Sequence, residues 1–151
     1  MKMRRLPLIL PLFLLLFGCD TDPVFPVEPS IVFTSITPTA ATEFTADEIS
    51  LQFHYQDGDG DLGYLTDQQA NLFITDTRQA FIGNPGRVTA FAFESLSSNA
   101  RNPSIQGDFT VTLTTPPYES SEEPLVFEVY IVDRAGHESN RILSTPITVG
   151  Q

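Results

Sequence analysis

Cysteine, tryptophan and basic residues are scarce in this chain. There is no tryptophan among the 151 residues, and Cys19 is the single cysteine. A single cysteine excludes an intrachain disulfide framework. Eight lysines and arginines stand against 19 acidic residues, and three of the eight are Lys2, Arg4 and Arg5. After residue 18 there is no lysine, and five arginines against 19 acidic residues give a formal net charge of −14. Such a surface repels nucleic acid and attracts divalent cations.

Long apolar runs are also missing. The run from Leu6 to Phe17 is interrupted by Pro7 and Pro11 and is too short for a transmembrane helix, which needs about 20 apolar residues. Because basic residues precede this run, residues 1–18 have the pattern of an export signal that is removed from the mature protein.

The segment Leu16-Phe17-Gly18-Cys19 resembles the lipobox of bacterial lipoproteins. The resemblance implies that Cys19 is diacylated on sulfur and becomes the new N-terminus, and several acyl chains anchor a protein far more firmly than one. Ordinary signal cleavage, which leaves a free thiol, is the alternative. Asp20 and Asp22 fit both inner-membrane retention and surface display in such proteins. The predicted location is the bacterial outer membrane, with the domain on the periplasmic face or on the cell surface.

Residues 19–30 form a proline-rich tether behind the lipidated cysteine. Pro23, Pro26 and Pro29 lie in this stretch, which shows almost no periodicity. A partly extended chain of this kind rises by about 3.1 Å per residue and would hold the domain on the order of 30 Å from the membrane. Residues 31–151 remain for one domain that is large enough to bury a core without disulfides.

The domain has the period-two pattern of half-buried β-strands. From Ile49 to Gln56, apolar and polar residues alternate without error, so that one face is apolar and the other polar. Turn signals separate the alternating runs, and we see no helical stripe. The seven predicted strands are 31–36, 49–56, 71–75, 88–94, 108–114, 125–132 and 142–149. About seven strands in one short domain predict an all-β, antiparallel two-sheet sandwich.

Two segments resemble known proteins. Phe127 to Asn140, which contains Asp133-Arg-Ala-Gly136-His-Glu-Ser139, resembles the last hairpin of bacterial immunoglobulin-like domains. The strand that runs into Asp-Gly-Asp-Gly-Asp-Leu-Gly, residues 57–63, resembles small Gram-negative lipoproteins that carry such a domain behind a lipobox. The resemblance implies an immunoglobulin-like sandwich over residues 31–151, although the Cys and Trp residues of antibody domains are absent.

Three alternating aspartates follow the clearest strand. Asp57, Asp59 and Asp61 would stand about 7 Å apart in an extended strand, too far apart for one ion. Gly58 and Gly60 can adopt positive φ at little steric cost, so the loop can curl and turn the carboxylates towards one point. Calcium suits such a point because it accepts six to eight oxygens in flexible geometry, whereas magnesium demands a strict octahedron. The alternative interpretation is a solvated acidic turn without an ion.

Strand order extends this hypothesis to a second loop. In an immunoglobulin-like sandwich the B–C and F–G loops lie at the same end. Asp57, Asp59 and Asp61 would then face three oxygen-bearing residues of the F–G loop. These are Asp133, Glu138 and Asn140. The sequence therefore predicts a calcium ion that joins the two loops, with ligands from both.

The competing functions fall into different classes. No nucleophile elbow, paired cysteine and histidine or phosphate-binding loop is present, so we do not expect an enzyme. The preferred function is a lipid-anchored cell-envelope module for binding or scaffolding, stabilised by calcium and acting on another envelope protein. The alternative is a carbohydrate-binding or hydrolytic accessory lipoprotein, in which Asp57 and Asp133 would form the carboxylate pair of a glycoside hydrolase.

Overall fold

The computed structural model describes residues 24–42, 48–63, 69–78, 88–92, 96, 103–114 and 124–150. The predicted signal peptide, Cys19 and the first part of the tether lie outside the described residues. Within the described part, no helix is long and apolar enough to cross a membrane.

Nine β-strands and no helix form the regular structure of these residues. They are β1 (Ser30–Thr37), β2 (Ala40–Thr42), β3 (Glu48–Asp57), β4 (Leu72–Asp76), β5 (Val88–Phe91), β6 (Ile105–Thr114), β7 (Phe127–Ile131), β8 (Ile142–Leu143) and β9 (Thr148–Gly150). Each of the seven predicted strands is present in whole or in part.

The strands form two antiparallel sheets. One has the order β1-β3-β6 and the other β5-β4-β7-β8, while β2 pairs with β9 in parallel. In immunoglobulin-like notation, β1, β3 and β6 occupy the A, B and E positions, and β5, β4, β7 and β8 occupy C′, C, F and G. The predicted all-β, two-sheet sandwich is therefore confirmed.

The core lies between the sheets and is built from alternate residues, as the period-two pattern predicts. On β3, Ile49, Leu51 and Phe53 are at most 1% exposed. Val129 and Ile131 of β7 are fully buried on the opposing sheet. Burying an apolar side chain of this size contributes about 1.5–3 kcal/mol, so the alternation fixes which face of each strand points inward.

The predicted strand at residues 142–149 is divided into two short strands. Pro146, which lies between β8 and β9 in the chain, has no N–H to donate and so cannot continue a strand ladder. Ile147 restores the pairing by exchanging both backbone hydrogen bonds with Leu125, at 2.8 and 2.9 Å. The three-residue strand β2 was not among the predicted strands.

One end of the sandwich collects the segments that concern function. β3 ends at Asp57 and continues into the aspartate loop, and β7 ends at Ile131, just before the connection to β8. Because β3 and β7 belong to different sheets, the two loops approach each other across the end of the core.

Candidate metal centre

The loop after β3 curls through two glycines. Gly60 and Gly63 have φ of 69° and 81°, in the left-handed region that glycine adopts without strain. Of the two glycines between the aspartates, Gly60 uses the positive φ that glycine permits and Gly58 does not. The curl buries Leu62 completely beneath the loop, which anchors it to the core.

The curl brings the three aspartates together. Asp57, Asp59 and Asp61 each offer a carboxylate oxygen within 4.8 Å of the others, so this cluster could hold a metal ion. Two oxygens on opposite sides of one calcium ion, each at about 2.4 Å, stand about 4.8 Å apart. Asp57 is buried, Asp61 is half-buried and Asp59 is exposed, which leaves the cluster open to solvent on one side.

Each inner carboxylate uses one oxygen in a hydrogen bond and leaves the other available. The backbone N–H of Asp61 donates to Oδ2 of Asp57 at 2.9 Å, and the N–H of Ala135 donates to Oδ2 of Asp61 at 3.1 Å. Oδ1 of Asp57 and Oδ1 of Asp61 are buried and have no hydrogen-bond partner among the described residues. A buried carboxylate oxygen without a partner is costly, and a bound cation would satisfy both.

The electrostatics of the cluster favour a positive ligand. Burial, followed by the charge of Asp59, raises the pKa of Asp57 to about 6. Burial also raises the pKa of Asp61, with further increases from Asp133 and Asp59 that Arg134 partly opposes. Like charges close together and shielded from water disfavour ionisation, and a divalent cation would reverse that balance.

The loop after β7 touches the aspartate loop, as the predicted strand order requires. The N–H of Arg134 donates to the carbonyl oxygen of Asp61 at 3.3 Å. The guanidinium Nη1 of Arg134 donates to the carbonyl oxygen of Gly63 at 3.2 Å. Together with Ala135, this loop holds the aspartate loop in its curled form. Ala135 is not predictable from the sequence, since a backbone N–H donor carries no signal in residue type.

Asp133 lies behind the cluster. It is fully buried, and its charge contributes to the raised pKa of Asp57 and of Asp61. Its two oxygens accept hydrogen bonds from the N–H and from Nδ1 of His137, both at 2.8 Å. The carboxylate in turn raises the pKa of His137. A carboxylate oxygen can accept more than one bond, so ligation by Asp133 stays a prediction.

Glu138 and Asn140 have other partners. Oδ1 of Asn140 accepts a hydrogen bond from the N–H of Ile31, and its Nδ2 donates to the carbonyl oxygen of Ile31, both at 2.8 Å. Oε2 of Glu138 accepts from Arg141 at 3.3 Å. Both side chains are therefore engaged in contacts that do not involve the aspartate loop. These contacts give no support to the prediction that Glu138 and Asn140 bind a metal.

The end of the tether packs against the aspartate loop. A Cβ added to Gly58 would collide with the carbonyl oxygens of Phe25 and Pro26, and would lie 2.6 Å from the carbonyl carbon of Pro26. Gly58 is therefore glycine because another backbone passes too close for a side chain. Apart from the glycine itself, the sequence carried no sign of this contact.

Among the described aromatic residues of the β5-β4-β7-β8 sheet, Tyr130 does not offer an open ring face. Phe73 and Tyr130 stack with their ring centroids 4.8 Å apart, and the guanidinium of Arg141 lies 3.9 Å from the Tyr130 ring centroid. Both faces of Tyr130 are therefore covered, whereas a sugar-binding platform needs an exposed ring face. Phe91 packs against the core, and Tyr64, Phe81 and Phe93 lie outside the described residues.

No protein-family model, curated protein or solved structure matches the chain. What the protein does must therefore be inferred from the loop end of the sandwich itself.

Proposed function

We propose that the protein is a lipid-anchored module of the bacterial cell envelope that binds or scaffolds another envelope protein and is stabilised by calcium at Asp57, Asp59 and Asp61. The observation that supports the metal site is the convergence of three carboxylates of which two keep a buried oxygen without a hydrogen-bond partner in the described structure. Calcium fits this site because it accepts oxygen ligands in flexible geometry and tolerates a coordination shell completed by water on the open side.

The metal site is tested by titrating calcium into the mature chain, residues 19–151, with Cys19→Ser to prevent oxidation. We expect the heat of calcium binding to fit a single site. We also expect a melting temperature that is higher in calcium than in EGTA. At a hundred times the dissociation constant, a ligand that binds only the folded state adds about 2.7 kcal/mol to the free energy of unfolding.

Asp59→Asn is the sharpest variant for this test because Asp59 is exposed, and its loss costs the fold little by itself. We expect calcium binding to fall while the melting temperature in EGTA does not decrease, because the charge of Asp59 opposes that of Asp57 when no cation is bound. Asp108→Asn is the matched control, since Asp108 is an exposed carboxylate on β6 that pairs with His54. Equal affinities in the two variants would remove Asp59 from the site.

The lipid anchor and the location need a separate experiment. When the full chain is expressed in a Gram-negative host with a labelled fatty acid, we expect label on the protein and recovery in the outer-membrane fraction. Cys19→Ser should abolish both. Label that persists in this variant would contradict the anchor, and protease accessibility on intact cells distinguishes the cell surface from the periplasmic face.

A further inference from the structure

The last residues of the tether are held on both sides of their contact with the aspartate loop. Upstream, the carbonyl groups of Phe25 and Pro26 lie against Gly58. Downstream, Pro29 is buried, and both backbone groups of Ile31 are bound by the side chain of Asn140. The stretch from residue 25 to residue 31 therefore packs at the loop end, whereas its proline content predicts only a semi-rigid, partly extended tether.

Gly58 is fixed on its other side as well. Its carbonyl oxygen accepts a hydrogen bond from Oγ of Ser104 at 3.0 Å, at the start of β6. It also lies between Asp57 and Asp59, two members of the carboxylate cluster. Gly58 therefore belongs both to the contact with the tether and to the loop that brings the carboxylates together. If this loop opened, the tether contact and the carboxylate cluster would be lost together.

The groups around this contact are rich in negative charge. The two tether carbonyl oxygens carry partial negative charge, and they face a loop with three carboxylates. Glu28 adds a further carboxylate close enough to act on His137 of the neighbouring loop. Without a cation, these groups repel one another in a partly buried place where water screens them weakly. A divalent cation held by the three carboxylates would remove this repulsion.

We propose that cation binding at Asp57, Asp59 and Asp61 is coupled to the packing of residues 24–29 against Gly58, so that the ion fixes the direction in which the sandwich leaves its tether. This inference rests on the proposed metal site and goes beyond it. Without the ion, the tether swings freely and the domain samples many orientations to the membrane. With the ion bound, residues 24–29 stay packed against the aspartate loop.

The coupling is tested with a pair of spin labels in the mature chain. The labels are attached at Val24→Cys and Thr112→Cys in a Cys19→Ser background, because Val24 is 90% exposed and Thr112 is exposed on β6. We expect a narrow distribution of label distances in calcium and a broad one in EGTA. Calorimetry on the same labelled protein reports calcium binding independently of the tether.

Gly58→Ala breaks the packing and keeps every carboxylate. We expect a broad distance distribution even in calcium. Because coupling is reciprocal, we also expect a calcium affinity at least about five-fold weaker. Gly107→Ala is the matched control, since the atoms nearest to a Cβ there belong to the outer end of the Tyr55 ring and not to a backbone. This control should keep both the narrow distribution and the affinity.

The outcomes separate the two proposals. Calcium binding with the same distance distribution in calcium and in EGTA would overturn the coupling and leave the metal site standing. An unchanged affinity and a narrow distribution in Gly58→Ala would do the same. Absence of calcium binding would overturn both. If Gly58→Ala does not fold, the comparison of calcium with EGTA in the parent protein decides the question.

Discussion

Asp57 combines full burial with incomplete hydrogen bonding. Its Oδ2 accepts from the N–H of Asp61, whereas its Oδ1 has no partner within the described structure. Its pKa of about 6 reflects burial first and the charge of Asp59 second. At neutral pH the carboxylate is therefore held ionised at the expense of stability. One change at this residue should have opposite effects with and without a cation.

Asp57→Asn should stabilise the protein in EGTA and destabilise it in calcium. In EGTA at pH 7, the amide oxygen can still accept from Asp61 and the like-charge repulsion is gone, so we expect a gain of up to about 3 kcal/mol in the free energy of unfolding. In calcium we expect the variant to be less stable than the parent, because a charged ligand is lost. Urea denaturation in both solutions measures this, and a loss in EGTA would contradict it.

The raised pKa of Asp57 also predicts how stability depends on pH in EGTA. A carboxyl group with a higher pKa in the folded state keeps its proton there while the unfolded chain loses it. Asp57 therefore adds most to stability below its ordinary pKa of 3.8, and this contribution is lost as the pH rises to about 6. Thermal melts between pH 4 and pH 7 in EGTA should show this decline, and Asp57→Asn should flatten it. An equal slope in that variant would assign the decline to other groups.

At the scale of elements, the hairpin of β7 and β8 ties the two sheets together. Asn140, which follows β7, binds both backbone groups of Ile31 on β1, which belongs to the other sheet. Its amide thereby occupies backbone groups at an edge of β1, where a further strand could otherwise pair. The sequence could not distinguish this role from metal ligation, since an amide oxygen serves both and its partner lies 109 positions away.

Asn140→Ala should destabilise the domain and leave calcium affinity unchanged. The loss of two backbone contacts, each contributing about 0.5–1.5 kcal/mol, predicts a decrease of about 1–3 kcal/mol in the free energy of unfolding. Glu138→Gln is the companion variant, because Glu138 is exposed and contacts Arg141. It should change stability by less than about 0.5 kcal/mol. A weaker calcium affinity in either variant would restore that residue as a ligand.

Strand positions could be predicted where burial of one face requires apolar and polar residues to alternate. β3 and β7 alternate because one face of each meets the core, so the pattern identifies both the strand and its inner face. β2 has three residues and pairs with β9 in parallel, which leaves no alternation to detect. The convergence of the aspartates followed from spacing and glycine chemistry, whereas the contact of Phe25 and Pro26 with Gly58 depends on backbone alone. The only sign of such a contact in the sequence is the glycine itself, which could equally mark a turn.

For the whole molecule, a charge of −14 after residue 18 raises the question of whether a cation effect is specific. The three arginines in the described residues are engaged locally: Arg78 with Asp76, Arg134 with Gly63, and Arg141 with Glu128 and Glu138. An acidic surface of this kind is stabilised by any added salt, because screening weakens its self-repulsion. Nonspecific screening and a calcium site therefore both raise the melting temperature.

The two contributions differ in form. Screening by sodium chloride should raise the melting temperature gradually between about 10 mM and 1 M, as the Debye length shrinks from about 30 Å to about 3 Å. Binding at one site should saturate near one equivalent of calcium when the protein is well above the dissociation constant. It should also persist in 0.15 M sodium chloride and be weaker for magnesium, which demands stricter geometry.

Asp59→Asn should remove only the saturating part and keep the gradual part, since it lowers the net charge by one unit in a strongly acidic protein. Melts of the parent, Asp59→Asn and Asp108→Asn in sodium chloride, calcium and magnesium measure both parts together. If calcium and magnesium act equally on all three proteins and no saturation is seen, the aspartates form an acidic turn. The curl of the loop would then depend on Gly60, Gly63 and the backbone contacts of Arg134 and Ala135.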